Sequence, residues 1–268
     1  MTQQMELLGR YKQLRQVGLP LNNQLVRMLT KADIEGGAAK IGIFRDGKVV
    51  LEEDSTTGIL MDFCLHDIWR DGTNAIDRFY RTSPPPPHSD EMLILQAKRA
   101  SRYSMFMVDQ TEPGSGLHVR DLLYDEDVFI TDINFSQTKQ IGLVIACRLM
   151  TIDGINMTTG ATIPMVVVPR ADRWQFMLQS VRVFKKKAAE CKTPEERSEF
   201  IAEIIRTCLE NGAASRISYA DPPGAKVHRR PLTPRPATRI ISAKKKLIGP
   251  NDRCPCGSGR KVKNCCGA

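Results

Sequence analysis

The sequence predicts an α+β protein with a helical N-terminal region, a small antiparallel β-meander or barrel, a C-terminal helix pair, and then a basic linker with a cysteine-rich end. Two patterns predict the mixed class. Apolar residues recur every three or four positions within residues 1–102, whereas residues 103–168 contain short apolar runs separated by turn residues. A content of 41% hydrophobic and 26% charged residues is typical of a folded protein.

These patterns divide the chain into three segments. Residues 1–220 are predicted to form the body, residues 221–252 a basic Pro-rich linker, and residues 253–268 a separate small motif. Within the body we expect residues 1–102 to be mainly helical with one hairpin, residues 103–168 to form strands, and residues 169–220 to be helical again.

The N-terminal part begins with a predicted helix over residues 3–17, which Gly18 ends. A second helix around residues 25–29 follows the break at Pro20. The dipeptide Asp46-Gly47 lies between β-prone runs, and it predicts a hairpin because both residues tolerate a positive φ.

Helical spacing returns over residues 55–81 and ends before the four prolines at 84–87, which predict a stiff spacer. Ser89 is then the predicted N-cap of a helix that continues to about Arg102.

Five strands are predicted next, because the apolar residues alternate or form continuous runs between turn signals. They are Tyr103–Val108, Leu117–Leu122, Val128–Ile133, Ile141–Met150 and Thr162–Val168. Two helices follow, Ala171–Glu190 and Pro194–Asn211, and the second begins with the capping box Thr193-x-x-Glu196.

The positive charge of the chain is concentrated at its C-terminal end. Residues 221–268 carry twelve Lys and Arg against two Asp, a net charge of +10, so that residues 1–220 carry −1 of the total +9. Residues 221–252 also contain six prolines and few large apolar residues, a composition that favours an extended linker.

Four cysteines form a C-x-C-x8-C-C pattern at the end of the chain: Cys254, Cys256, Cys265 and Cys266. Two close pairs of thiolates supply the four tetrahedral ligands that zinc prefers, and iron is a second possible metal. So short a segment has almost no apolar interior, so metal binding has to provide its folding free energy. The sequence therefore predicts a zinc knuckle.

The same residues resemble the SEC-C motif, the metal-binding tail first recognised on the bacterial preprotein translocase motor. The shared residues are Asn251-Asp252, Cys254-Pro255-Cys256-Gly257-Ser258-Gly259, Lys261, Lys263 and Cys265-Cys266-Gly267. Arg253 and Val262 depart from the family pattern, where a proline and an aromatic residue are usual. The resemblance implies that the cysteines hold the metal and that the tail contacts a chaperone or the ribosome.

These observations predict a cytoplasmic, metal-binding interaction protein. The N-terminus lacks an apolar signal core, and no apolar run is long enough to span a membrane. We expect the basic linker and the zinc knuckle to dock on the ribosome or other RNA, or else on an acidic protein chaperone. The sequence indicates no oligomeric state.

The alternative is an enzyme, a metal-dependent hydrolase or nuclease whose tail serves as a recruiting module. Its candidate metal ligands are the clustered acids Asp121, Asp125, Glu126, Asp127 and Asp132. Acid and base pairs are conceivable at His66 with Asp67 and at His118 with Asp121, although surface or partly buried imidazoles are the plainer interpretation. The scattered cysteines are predicted to fill the core, namely Cys64, Cys147, Cys191 and Cys208.

Overall fold

The computed structural model describes residues 2–51, 54–138, 141–165 and 171–211. All of them belong to the first of the two units into which the chain divides, Met1–Pro222. The predicted linker and zinc knuckle lie outside the described residues.

The N-terminal region is helical, as predicted, with one small hairpin. Its elements are α1 (Thr2–Arg27), α2 (Lys31–Lys40), β1 (Phe44–Arg45), β2 (Lys48–Val49), α3 (Asp54–Asp67), α4 (Ala75–Thr82) and α5 (Asp90–Arg99). The hairpin turns at Asp46 and Gly47, whose φ values of 51° and 73° confirm the predicted turn. Ser89 caps α5 by accepting a hydrogen bond from the backbone N–H of Met92, also as predicted.

The predicted break at Gly18 and Pro20 is wrong, because α1 runs through both residues. Leu14, Leu21 and Leu25 lie on one face of α1 and are almost fully buried in a core cluster. Burial of this stripe offsets the hydrogen bond that Pro20 removes.

The single helical pattern predicted for residues 55–81 is instead two helices, α3 and α4. The chain turns between them at Asp71 and Gly72, which both have positive φ, and a bridge joins Arg70 to Thr73. Helix α2 has no counterpart in the prediction, although Thr30 and Asp33 form a capping box at its start.

The central part is a curled antiparallel sheet. Its strands are β3 (Arg102–Glu112), β4 (Gly116–Asp121), β5 (Glu126–Thr131), β6 (Val144–Ile152), β7 (Ile155–Thr158) and β8 (Ile163–Pro164). The order is β5-β4-β3-β6-β7, with β8 also paired to β6. Thus β3, β4 and β5 form a meander, and β6 returns to the other side of β3.

Strand β7 was not predicted, and it forms a hairpin with β6 across Asp153 and Gly154, which have positive φ. The amide of Asn156 in β7 donates a hydrogen bond of 3.1 Å to the carbonyl of Phe129 in β5. The two outer strands of the sheet therefore approach each other, and the sheet is curled.

Two helices follow the sheet, α6 (Ala171–Glu190) and α7 (Pro194–Glu210), and their bounds agree closely with the prediction. Thr193 and Glu196 form the expected capping box at the start of α7. Helix α7 buries Phe200, Ile201 and Ile204 in the same core cluster as α3 and the first residues of β3. None of the described helices is long and apolar enough to cross a membrane.

Candidate functional site

A cavity of about 300 Å³ opens where three parts of the body meet. Its lining comes from the C-terminal end of α3, the junction of α5 with β3, and the junction of α6 with α7. Arg148, in the middle of β6, also lines it. Short helix ends and strand starts carry backbone and side-chain polar groups, so their convergence makes a polar cavity.

The cavity is lined by six cationic side chains against the two carboxylates of Asp67 and Asp77. The cations are Lys98, Arg99, Arg102, Arg148, Lys192 and Arg197. This excess of positive charge, partly enclosed by protein, concentrates anions at the opening.

Some of these cations already have carboxylate partners. Arg99 pairs with Asp77 at 2.8 Å, and Arg102 pairs with Asp121 at 3.2 Å and with Glu126. These pairs neutralise the charge of both arginines, so the unbalanced positive charge of the cavity resides on other residues.

The floor of the cavity contains a buried ion-pair cluster. Arg148 donates from Nε to Asp62 Oδ2 at 3.2 Å and from Nη2 to a carboxylate oxygen of Asp67. Burial raises the pKa of Asp67 to about 7, although the charge of Arg148 opposes the rise. The guanidinium also lies over the ring of Tyr103, 5.5 Å from its centre. Arg148 is thereby held rigidly between α3 and β3.

Lys98 is a buried cation without a carboxylate partner among the described residues. Its side chain is 4% exposed, and its Nζ donates one hydrogen bond of 3.2 Å to Asn22 Oδ1. Burial lowers the pKa of Lys98 to about 8, and the more distant charge of Asp62 only partly opposes this. The charged form of Lys98 is destabilised by burial, and an anionic ligand at this position would stabilise it.

His66 and Tyr103 also line the cavity, and each leaves a buried polar atom without a hydrogen bond to any described group, His66 Nε2 and Tyr103 Oη. Burial lowers the pKa of His66 well below 6.5, so its imidazole is neutral. Ser101 donates its hydroxyl hydrogen to the carbonyl of Lys98 at 2.6 Å and lies 3.4 Å from His66 Nδ1. Nε2, which lies 3.7 Å from Asp62 Oδ1, accepts a hydrogen bond in one tautomer of the neutral ring and donates one in the other.

The outer side of the cavity is formed by the start of α7. Glu196 accepts hydrogen bonds from the backbone N–H groups of Lys192 and Thr193, so the helix terminus itself is capped. The side chains of Lys192 and Arg197 are exposed and form no ion pair with any residue that the structure describes. They are the cations available to a ligand at the opening.

The acids of the hydrolase alternative do not converge on a common point. Asp121 is buried and accepts hydrogen bonds from Ser104 and from the backbone N–H groups of Leu123 and Tyr124. The other four each have a separate partner: Asp125 with Lys185, Glu126 with Arg102, Asp127 with Arg120, and Asp132 with the N–H of Phe135. Within the described part of the chain, no group of three or more His, Cys, Asp or Glu could hold a metal ion.

The two histidines that the sequence singled out have different carboxylate neighbours from those considered. His118 Nε2 lies 2.6 Å from Glu112 Oε1, and its ring packs edge-on against Phe129. His66 Nε2 lies 3.7 Å from Asp62, one helical turn away, instead of beside Asp67. His66 Nδ1 lies 3.4 Å from the hydroxyl of Ser101, which already donates to the carbonyl of Lys98. Of the two histidines, only His66 lines the cavity.

Three of the scattered cysteines fill the core as predicted. Cys64, Cys147 and Cys208 are buried, and burial raises the pKa of the thiols of Cys64 and Cys208 to about 12. Cys191 is only partly buried and lines the cavity. The predicted metal ligands Cys254, Cys256, Cys265 and Cys266 lie outside the described residues.

Sequence reasoning missed the cavity and its charged residues. One signal was present, since Arg148 interrupts an otherwise apolar run, and Asp62, His66 and Asp67 recur at helical spacing in α3. The pattern does not say that these residues meet, because α3, α5, β6 and α7 are far apart in the chain.

Residues 5–204 match a family described as a family of unknown function, DUF7986. This match covers most of the body and includes every lining residue of the cavity. The chain belongs to this family.

A second match covers residues 251–268, which carry the SEC-C motif, generally a zinc-binding motif. The resemblance inferred from the cysteine pattern is therefore confirmed. The matched segment begins at Asn251 and includes all four cysteines.

Two curated relatives are similar to the C-terminal end of the chain. The protein translocase subunit SecA of Clostridium novyi (strain NT) is 67% identical over 27 residues, 10% of this chain and 3% of the relative. The protein translocase subunit SecA of Clostridium acetobutylicum is 40% identical over 53 residues, 20% of this chain and 5% of the relative. The chain thus spans a very small part of these relatives. No solved structure matches the chain.

Proposed function

We propose that this protein is a cytoplasmic, metal-binding interaction protein that docks through its C-terminal segment, residues 221–268. In this proposal Cys254, Cys256, Cys265 and Cys266 hold one zinc ion, with iron as the second choice of metal. The partner is the ribosome or other RNA first, and an acidic protein chaperone second. The SEC-C match at residues 251–268 is the observation that carries the proposal.

The chemistry of the donor set supports zinc. Four thiolates around a divalent ion leave a net charge of −2, and nearby Arg253, Arg260, Lys261 and Lys263 favour the ionised thiols. Metal binding and folding of the segment are then a single event, which makes docking dependent on the metal.

The distribution of charge supports an anionic partner. The body carries −1 up to residue 220, whereas residues 221–268 carry +10. Cations at this density gain affinity for nucleic acid by releasing counterions from the phosphates. An acidic chaperone offers carboxylates instead, which hold fewer condensed counterions and give a weaker dependence on salt.

Metal analysis of the freshly purified, reduced full-length protein tests whether the four cysteines hold a metal ion. We expect about one zinc or iron per chain, lost in a Cys254→Ser/Cys256→Ser variant because two of the four ligands are gone. Cys191→Ser is the matched control, since this thiol lies in the body and should leave the metal content unchanged. Metal-free wild-type protein would refute the proposal.

Co-sedimentation with ribosomes tests whether the C-terminal segment docks on RNA. Binding to phosphates should weaken by roughly 10³-fold or more between about 50 and 200 mM salt if six or more contacts form. Replacing Lys244, Lys245 and Lys246 by Gln should weaken binding, whereas the same change at Lys185, Lys186 and Lys187 of α6 removes equal charge from the body and should not. A salt response much shallower than this would indicate that the segment recognises protein and not phosphates.

A further inference from the structure

We propose that the cavity of the body binds a small phosphorylated molecule that also carries hydroxyl groups, such as a sugar phosphate. Lys98, Lys192 and Arg197 would bind the phosphate, while His66 and Tyr103 would bind the hydroxyls. This site is separate from the C-terminal segment, and it does not depend on the proposed docking function.

The charges of the cavity support an anionic ligand. Lys98 is buried and bonded only to the neutral amide of Asn22. Lys192 and Arg197 at the opening form no ion pair with the described residues, and the carboxylates of Asp62 and Asp67 are already engaged by Arg148. Lys98, Lys192 and Arg197 therefore remain as cations without a carboxylate partner among the described residues, and a phosphate group can bind to them.

The position of Lys98 argues against a purely structural role. A methionine would fill the same space without burying an unpaired ammonium group, so the folded state is destabilised by keeping a lysine there. Groups retained at a cost in stability are characteristic of binding and catalytic sites.

The unpaired neutral groups support a ligand with hydroxyls. His66 Nε2 accepts or donates according to the tautomer of the ring, and Tyr103 Oη can do both. Both atoms are buried, and a buried polar group without a partner is unfavourable. A hydroxyl can donate to one of these atoms and accept from the other, whereas a bare phosphate dianion only accepts.

The size and depth of the cavity favour a small molecule over a polymer. A volume of about 300 Å³ is at the lower end of the range for small-molecule sites. His66, Lys98 and Tyr103 are each no more than 5% exposed, so only a compact ligand reaches them. Lys192 and Arg197 at the opening and the buried Lys98 supply the charges for a phosphate, and the buried His66 and Tyr103 supply the neutral groups for hydroxyls.

Calorimetric titration of the full-length protein tests this site. The probes are ribose 5-phosphate, ribose and inorganic phosphate, in a phosphate-free buffer of constant ionic strength. We expect one saturable site for ribose 5-phosphate and weaker binding of ribose and of inorganic phosphate, because each of these satisfies only one group of residues.

Two double variants separate the site from general charge effects. Lys192→Gln with Arg197→Gln should weaken ribose 5-phosphate binding by about tenfold or more, because two charge-assisted hydrogen bonds are lost. Arg182→Gln with Lys186→Gln changes the charge equally on exposed positions of α6 outside the cavity and should alter binding by less than about twofold. Equal effects of the two pairs would overturn the proposal.

Tyr103→Phe tests the hydroxyl contact, since it keeps the ring under Arg148 and removes only Oη. It should weaken ribose 5-phosphate binding and leave inorganic phosphate unchanged. The proposal is also overturned if ribose 5-phosphate does not saturate a site or binds no more tightly than inorganic phosphate. Cys254→Ser/Cys256→Ser should keep this binding, so failure of the docking proposal is recognised separately.

Discussion

Lys98 provides the sharpest test of the energetics of the body. Lys98 is 4% exposed, and its ammonium group has one neutral partner, Asn22. Burial lowers its pKa from 10.5 to about 8, a difference that corresponds to about 3 kcal/mol at neutral pH. Replacing Lys98 by Met removes this penalty and loses one hydrogen bond of about 1 kcal/mol. We therefore expect the variant to be more stable by about 2 kcal/mol at about pH 7.

The pH dependence follows from the direction of the shift. Between about 8 and 10.5 the folded protein releases the proton of Lys98 while the unfolded chain retains it, so the stability of the wild type rises with pH. The advantage of Lys98→Met should be complete below the folded pKa and should shrink through this window. Urea unfolding followed by circular dichroism, in phosphate-free buffer at several pH values, measures both quantities.

The matched control is Lys186→Met, because Lys186 is 80% exposed on α6. Its effect on stability should be small and should not change between neutral pH and the window in which Lys98 titrates. A Lys98→Met protein that is less stable than the wild type at about pH 7, or whose advantage is independent of pH, would refute the reasoning.

Three further substitutions and one control, Gly58→Ala, test other parts of the fold by the same unfolding measurement. Arg148→Met should cost about 3–5 kcal/mol, because it leaves two buried carboxylates unpaired, and acid should partly relieve the loss. Gly116→Ala should cost about 1–3 kcal/mol, since its Cβ would lie 2.2 Å from a carbonyl oxygen of β5. Gly58→Ala, with open space in α3, should instead be neutral or stabilising. Thr193→Ala should cost about 1 kcal/mol by removing the α7 cap.

Local signals predicted the elements whose ends depend on neighbouring residues. The caps at Ser89 and Thr193 and the turn at Asp46-Gly47 are formed by side chains and backbone within three or four positions, so they could be recognised in the sequence. The overlooked capping box at Thr30 belongs to the same class and could have been found.

Longer-range packing overruled the local signals in α1. Gly18 and Pro20 both disfavour a helix interior, yet α1 continues because Leu21 and Leu25 extend the buried stripe that begins at Tyr11. The cost of the two breakers is local, whereas the benefit arises only when α4 and α5 cover the stripe. The helical spacing of apolar residues continues past Pro20 at Leu21 and Leu25, and this spacing could have indicated the continuous helix.

The two candidate sites differ in whether their residues are close together in the sequence. The four cysteines of the tail lie within thirteen residues, and their spacing alone indicates a tetrahedral thiolate site. The cavity instead combines His66, Lys98, Tyr103 and Arg148 with the start of α7. No spacing rule connects these residues, since their meeting depends on the return of β6 to β3 and on the docking of α7.

The sequence by itself determined the α+β class, most helix and strand positions, the separation of charge between body and tail, and the SEC-C motif, because these depend on composition and on neighbours along the chain. Only the tertiary structure decided the sheet order, the continuous α1, and the assembly of the cationic cavity. The physical reason is that burial and desolvation are set by the elements that cover a residue. Lys98 at the end of α5 becomes a buried charge only once other elements cover it, among them α1, whose Asn22 accepts its hydrogen bond.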